Sequence, residues 1–300
     1  MGTGPCSPRA RYHLRWDRFT IELGARTALM GVVNVTPDSF SDGGRFFDTR
    51  AAVDRCRRLA DDGADILDVG GESTRPGAAD VPGDEEMRRV LPVIEAVAAR
   101  LDVPISVDTS KANVARAALE AGAAMINDVT AGSDPAMFAL AAERGVPIAL
   151  MHMKGTPRTM QKAPHYDDVV GEIGEFLAAR LDDAAGAGVP AERVIVDPGI
   201  GFGKTIEHNY EILARLGELG ALGCPVLVGP SKKSFIGATL GVEAGERLLG
   251  TAAAVAACVL GGAHIVRVHD VAEMRQVCDI VDAVRRADAA RRAAPGEADV

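Results

Sequence analysis

Asp108 and Asp197 are the carboxylates whose placement most invites chemistry. Each closes a short apolar or β-branched run, 105–107 and 194–196. Two carboxylates facing one pocket can hold an amino–imine edge by paired hydrogen bonds and stabilise positive charge developing between them. Asp108 could instead cap a helix expected from Asn113, whereas Pro198 disfavours an ordinary helix start at Asp197 and leaves that side chain available. Lys233, Arg267 and His269 make a cationic group suited to an anion. Arg267 and His269 are two residues apart, so on a strand they share a face, although a histidine there could also be a satisfied structural residue. Ser231 and glycine-rich turns add donors. The run Gly199-Ile-Gly201-Phe-Gly203-Lys204 has neither the spacing of a nucleotide phosphate loop nor that of a dinucleotide fingerprint, which excludes a nucleotide fold on this motif. Asn34 offers an amide oxygen, a hard-cation ligand beside a phosphate-bearing substrate. The loop Thr36–Phe47, with Gly43 and Gly44, reads as a mobile lid or as a merely flexible stretch.

These residues fall where a repeated unit passes from strand to loop. About eight times the chain shows a short β-branched run, a loop and an amphipathic helix. The strand candidates are Leu29–Val35, Ile66–Val69, Ile105–Val107, Met125–Asn127, Ile148–Met151, Val194–Val196, Val226–Val228 and Ile265–Val268. Helices are expected over Thr49–Asp62, Glu85–Arg100, Asn113–Ala121, Pro135–Arg144, Val169–Gly186, Glu207–Leu216, Glu246–Leu260 and Val271–Arg286, several stopped by Gly63, Gly122, Gly145, Gly188 or Gly262. Eight such units predict an α/β fold, a single (β/α)8 TIM barrel, with a doubly wound open sheet as the alternative. The expected divisions are a flexible extension over 1–18, the barrel over 19–288 and a flexible tail over 289–300, with a hairpin over His13–Leu23 plugging the barrel bottom.

In this fold chemistry gathers on the loops at the C-terminal ends of the strands. Polar residues concentrate there: Asn34; Asp68, Glu72, Thr74 and Arg75; Asp108 and Lys111; Asn127 and Asp128; His152 and Lys154; Asp197 and Lys204; Ser231, Lys232 and Lys233; Arg267, His269 and Asp270. Any one of them could be a cap or turn residue. A complete ring on one rim, facing bland strand entries, reads as a polar pocket.

Composition narrows the class. Apolar residues make up 47% of the 300-residue chain, enough for a large core. A net charge of −9 argues against a nucleic-acid partner, which needs a basic face. Five cysteines without a CxxC pair indicate neither a disulfide framework nor a zinc site and fit a reducing cytoplasm. No signal peptide or membrane span is expected, since the apolar stretch Leu248–Val268 is Ala- and Gly-rich and interrupted by Thr251 and His264. The basic run from Arg285 to Arg292 reads as a solvated helix end.

The loops taken together resemble the dihydropteroate synthase family. The matching runs begin at Met30 (Met-Gly-Val-Val-Asn-Val-Thr-Pro-Asp-Ser-Phe-Ser-Asp-Gly-Gly), Asp68 (Asp-Val-Gly-Gly-Glu-Ser-Thr-Arg-Pro-Gly), Ile105 (Ile-Ser-Val-Asp-Thr), Ile126 (Ile-Asn-Asp), Asp197 (Asp-Pro-Gly-Ile-Gly-Phe-Gly-Lys), Ser231 (Ser-Lys-Lys-Ser-Phe-Ile-Gly) and Arg267 (Arg-Val-His-Asp). The resemblance covers roughly residues 28–285, with no unit missing. It implies condensation of 6-hydroxymethyl-7,8-dihydropterin diphosphate with 4-aminobenzoate, giving 7,8-dihydropteroate and pyrophosphate with Mg2+. It further implies that Asp108, Asn127, Asp197 and Lys233 hold the pterin, and that Asp108, Asp197, Lys233 and Arg267 carry catalysis. Asn34 would meet the metal, and Thr74, Arg267 and His269 the diphosphate. Thr74, Arg75, Pro76, Lys233 and Ser234 would shape the aminobenzoate pocket that sulfonamides occupy. Phe202, Gly229 and Val268 would join the substrate-binding group, and a homodimer is implied. One departure is Lys232, where the family commonly has Arg. The alternatives are a pterin-dependent methyltransferase-like barrel, a non-catalytic pterin-binding paralogue and an unrelated phosphate-binding barrel. The first would lack the Asn34 and Thr74-Arg75-Pro76 loops and the second would have lost Thr74–Pro76 or Lys233, yet all are present.

Overall fold

The computed structural model describes residues 6–36, 44–73 and 77–293, with residues 44–48 described as backbone only. The chain opens on an antiparallel hairpin, β1 (Tyr12–Trp16) and β2 (Phe19–Leu23), in which Trp16 pairs with Phe19. Eight parallel strands follow: β3 (Ala28–Asn34), β4 (Ile66–Gly70), β5 (Ile105–Asp108), β6 (Met125–Asp128), β7 (Ile148–Met151), β8 (Val194–Asp197), β9 (Leu227–Val228) and β10 (Ile265–Val268). They pair in the order β8-β7-β6-β5-β4-β3-β10-β9, and a parallel bridge between Val196 and Val226 joins the two ends. The closed barrel is the architecture expected from the repeat, and the open-sheet alternative is set aside.

Each strand is short and almost wholly buried because one face packs inside the barrel and the other under helices. The helices are α1 (Gly44–Asp61), α2 (Gly83–Ala98), α3 (Ala112–Glu120), α4 (Met137–Arg144), α5 (Val169–Gly186), α6 (Ile206–Arg215), α7 (Ser234–Leu240), α8 (Leu248–Leu260) and α9 (Val271–Ala293). All five glycines read as helix stops have positive φ. Neither α7 nor the 3-10 turn over Leu216–Leu222 is anticipated by periodicity, because both are short and carry internal glycines. Among the described residues no helix is long and apolar enough to cross a membrane.

The hairpin sits at the strand-entry end. Leu14, Trp16 and Leu23 enter the main core, and the Tyr12 ring meets His264, just before β10, edge-on. The expected divisions at the ends shift. Residues 6–18 are docked: Arg9 donates to Asp282 at 2.8 Å and to Ala263 O at 3.0 Å. At the other end α9 continues to Ala293 past the expected start of the tail. Its basic run is not a simple solvated end. Arg285 donates to Val259 O, Leu260 O and Ser7 O, and Arg292 to Cys6 O, so guanidinium groups fasten the last helix to the first segment.

Candidate active site

Strand alternation builds the mouth. Asp68 on β4 pairs in register with Ser106 on β5, and two residues on Asp108 pairs with Asn127 on β6. Period-2 geometry turns Asp68, Asp108 and Asn127 to one face, and hydrogen bonds show that they meet. Arg267 on β10 donates Nε to Asp68 Oδ2 at 2.6 Å and Nη2 to Asp108 Oδ2 at 2.7 Å. Asn127 Nδ2 donates to the same Asp68 oxygen at 3.1 Å. Asp108 does not cap α3. The carboxylate donating order to that helix start is Asp134, whose Oδ2 accepts from Ala112 N at 2.8 Å. Burial pushes the Asp108 carboxyl well above the usual carboxylate range, with the Arg267 guanidinium opposing and the Asp68 charge reinforcing the rise.

Asp197 ends β8. Its Oδ1 accepts from Gly199 N at 2.7 Å, and burial pushes it up to about 6, against the favourable fields of Lys233, Lys204 and Arg267. Lys233, immediately before α7, places Nζ 4.1 Å from the centroid of the buried Phe202 ring. Burial, then the neighbouring Arg267, lowers the Lys233 ammonium to about 8. Among the described residues its ammonium makes no hydrogen bond, so it is held by packing and field and keeps its donors for a ligand. Phe202 joins Val129, Met151 and Met160 in a small apolar cluster at the end of β7 and on the loops after β6, β7 and β8. A cavity of about 110 Å³ beside it touches Asp108, Val129, Met153 and Pro157.

His269 lies just beyond β10. Its backbone N–H donates to Ser231 Oγ at 3.2 Å, and Ser231 Oγ lies 2.9 Å from His269 Nδ1. Ser231 Oγ thus holds the imidazole by its Nδ1 edge and leaves Nε2 outside the pairing. Burial, then Arg267, lowers the imidazole to about 3, so it works as a neutral donor. Lys232 does not reach for an anion, because its Nζ pairs with Asp270 at 2.9 Å.

The comparisons follow the same lines. A family model described as "Pterin binding enzyme" matches residues 30–269. The dihydropteroate synthase of Synechocystis sp. is 49% identical over 265 residues, covering 88% of this chain and 92% of that protein. The structure of the Yersinia pestis dihydropteroate synthase in a sulfonamide drug complex superposes with a TM-score of 0.87 at 44% identity, covering 91% of this chain and 99% of that one. The Xanthomonas albilineans dihydropteroate synthase with 4-aminobenzoic acid gives a TM-score of 0.83 at 48% identity, covering 91% and 96%. The chain belongs to the dihydropteroate synthase family of transferases.

Against that family, the mouth gathers Asp108, Asn127, Asp197, Lys233, Phe202, Arg267 and His269 around the rims of β5, β6, β8, β9 and β10. Asn34 ends β3 half-buried, in register with Gly70. Gly229 lies against Arg267, where a Cβ would stand 3.7 Å from that residue's Cβ, and Ser234 is exposed at the start of α7. Val268 is different: its side chain packs in the main core, as alternation from Arg267 requires. Thr74, Arg75 and Pro76, and most of the loop expected as a lid, lie outside the described residues.

Two residues escaped assignment from sequence. Asp68 was visible in its motif but given no role, yet it is fully buried and accepts from both Arg267 and Asn127. The available signal was a carboxylate inside an otherwise apolar strand, which must be paired to be buried. Lys204 closes the glycine-rich loop and is 2% exposed. The mouth therefore opposes Asp68, Asp108 and Asp197 with Arg267, Lys233 and Lys204, a local balance inside a chain of net charge −9.

Proposed function

We propose that this barrel mouth condenses 6-hydroxymethyl-7,8-dihydropterin diphosphate with 4-aminobenzoate, giving 7,8-dihydropteroate and pyrophosphate. The observation that carries the reading is the Arg267 guanidinium, tied to two carboxylates and flanked by the donor-rich Lys233 and His269. Buried acceptors for an amino–imine edge thus adjoin donors for a diphosphate.

Asp197, Asp108 and Asn127 would hold the pyrimidine edge of the pterin, with Lys233 and Phe202 beside its ring. Arg267 uses two of its five N–H donors in the protein and keeps the rest for a diphosphate oxygen. His269 Nε2 would add a neutral donor, and the family resemblance would add the Thr74 hydroxyl. Thr74, Arg75, Pro76, Lys233 and Ser234 would orient the aminobenzoate, while Gly229 and the backbone of Val268 complete the wall. As the amine nitrogen attacks the exocyclic methylene carbon, the carbon–oxygen bond to diphosphate breaks. Its electron pair leaves with pyrophosphate, and the ammonium formed loses a proton. Buried Asp108 and Asp197 favour the cationic character gained by the methylene. Positioning supplies the remainder, and no covalent protein nucleophile is required.

Asn34 would contribute one oxygen to Mg2+. Such an ion takes octahedral oxygen ligands and keeps waters and substrate phosphates, so one hard protein oxygen fits it. Among the described residues no group of three or more His, Cys, Asp or Glu side chains could hold a metal. When bound, the ion would neutralise charge on the diphosphate.

The homodimer implied by resemblance is supported by the outer faces of α8 and α9, where Leu249 is 82% and Ile280 68% exposed. A cytoplasmic location is supported by five buried, unpaired cysteines. The deciding assay incubates purified protein with the pterin diphosphate, 4-aminobenzoate and Mg2+ and follows dihydropteroate. Folded protein that releases no product would reject the enzyme reading in favour of a non-catalytic paralogue.

A further inference from the structure

The glycine-rich loop after β8 lies backbone against backbone on the loop after β7. A Cβ on Gly199 (φ +69°) would stand 1.9 Å from His152 O, and one on Gly203 (φ +65°) 2.3 Å from Lys154 O. Only glycine permits that approach. Lys204, at the end of the loop, turns its ammonium into the seam. Nζ donates to Phe202 O at 2.9 Å, to His152 O at 3.3 Å and to His152 Nδ1 at 2.9 Å. These three acceptors satisfy every donor of an ammonium group. The joined segments carry the mouth: His152 N donates to Asp197 O at 2.9 Å, and the Phe202 ring underlies the Lys233 ammonium.

We propose that Lys204 is a positioning residue for the pterin half of the reaction, fixing Phe202 beneath Lys233 and holding the seam on which Asp197 sits. It has no donor left for substrate, so it acts through other residues. The charged and titratable groups facing it are His152, Lys154, Lys233 and Asp197; burial lowers its ammonium to about 7, against the favourable field of Asp197, so it is charged through the acid limb. Burial, then the Lys204 charge, lowers His152 to about 3, so Nδ1 stays an acceptor for the ammonium. Asp197 in turn faces Lys233, Lys204, Arg267 and the Gly199 N–H. The proposal rests on the assignment of Asp197 and Lys233 to the pterin.

The test is steady-state kinetics on full-length Lys204→Met and Lys204→Gln, varying each substrate separately across pH. KM for the pterin diphosphate should rise by about tenfold or more, the range seen when a residue orienting a direct ligand is lost. KM for 4-aminobenzoate should stay within about twofold. The acid limb of kcat/KM for the pterin should move to higher pH, because a cation that favours ionised Asp197 is gone. Folded variants with unchanged pterin KM and a superimposable pH profile would overturn the proposal. So would equal losses toward both substrates with the acid limb unmoved, the mark of a merely structural lysine. Lys233→Met serves as the control: an unchanged pterin KM there would overturn the site assignment instead. Should neither Lys204 variant fold, amide hydrogen exchange on the unmutated protein decides. Residues 199–204 should exchange more slowly than residues 154–163 and slow further with bound pterin; exchange as fast as 154–163 would reject the clamp.

Discussion

Arg267 lies 2.6 Å from Asp68 and 2.7 Å from Asp108, and among the described residues it is the cation hydrogen-bonded to both buried carboxylates. Removing one partner from a buried ion network leaves charge uncompensated, which costs about 3–5 kcal/mol. Arg267→Ala should therefore lower Tm by roughly 10 °C at the few degrees per kcal/mol typical of a chain this size. Arg267→Lys keeps the charge but not the planar fork that reaches two carboxylates at once. It should retain more of the stability while losing most of kcat/KM. Calorimetry and kinetics on both variants check this, and Arg267→Ala melting within two degrees of the parent would sink the idea.

Lys233 should behave in the opposite way. Its folded-state value is lowered to about 8, so the fold disfavours its charged form, and the stability it withholds at neutral pH returns as pH rises through 8. Lys233→Ala removes that penalty and, among the described residues, breaks no hydrogen bond of the ammonium. Tm at pH 7 should hold within a few degrees or rise, while kcat/KM falls by about a hundredfold or more, as for loss of one electrostatic stabiliser. A large drop in Tm would make Lys233 a structural residue.

Much of this was legible beforehand, for a physical reason. Strands buried on both faces must be short and β-branched, and Ile148–Met151 and Ile265–Val268 were bounded correctly because polar residues end them abruptly. The loops could be placed on one rim because a parallel barrel allows no other arrangement. What sequence hid was pairing. Nothing local to Asp68 says that its partner is 199 residues away on β10, and Arg285 looks solvated until the first segment folds under it. The helix over Ser234–Leu240 escaped because Gly237 and its brevity blur the period. Membership of a motif does not give side-chain direction either: Val268 turns its side chain into the core.

The carboxylate of Asp197 predicts an acid limit. Burial raises it to about 6, so it binds a proton more tightly in the folded chain than in the unfolded one. Stability contributed by this group is thus present below about pH 4 and lost as pH climbs toward 6, on the order of 2–3 kcal/mol. A protonated Asp197 accepts fewer hydrogen bonds from a pterin edge. The pterin kcat/KM should fall below about pH 6, and Asp197→Asn should bind pterin poorly and leave only the limb set by Asp108, whose carboxyl burial also raises. The same variant should keep or raise Tm at pH 7, since it removes a desolvated charge and retains an acceptor for the Gly199 N–H. A sharply destabilised Asp197→Asn at neutral pH would contradict the argument.

Lys232 supplies the last prediction. Its backbone is left-handed at φ +57°, its N–H donates to Thr251 Oγ1 at 3.1 Å, and its carbonyl accepts from Arg247 at 3.0 Å. The side chain is half-exposed and engaged with Asp270, a pairing worth about 0–1 kcal/mol. A non-glycine residue in this backbone region carries strain of order 1–3 kcal/mol. Lys232→Gly relieves the strain, gives up the weak pair and gains chain entropy in the unfolded state, so its stability should stay within about 1 kcal/mol of the parent. Lys232→Arg keeps a cation for Asp270 and should change kcat/KM by less than about threefold, since neither residue is free to grip the diphosphate. Chemical denaturation and kinetics measure both. A tenfold gain in pterin affinity for Lys232→Arg would show instead that this position does reach the anion, and that the pairing with Asp270 gives way when substrate arrives.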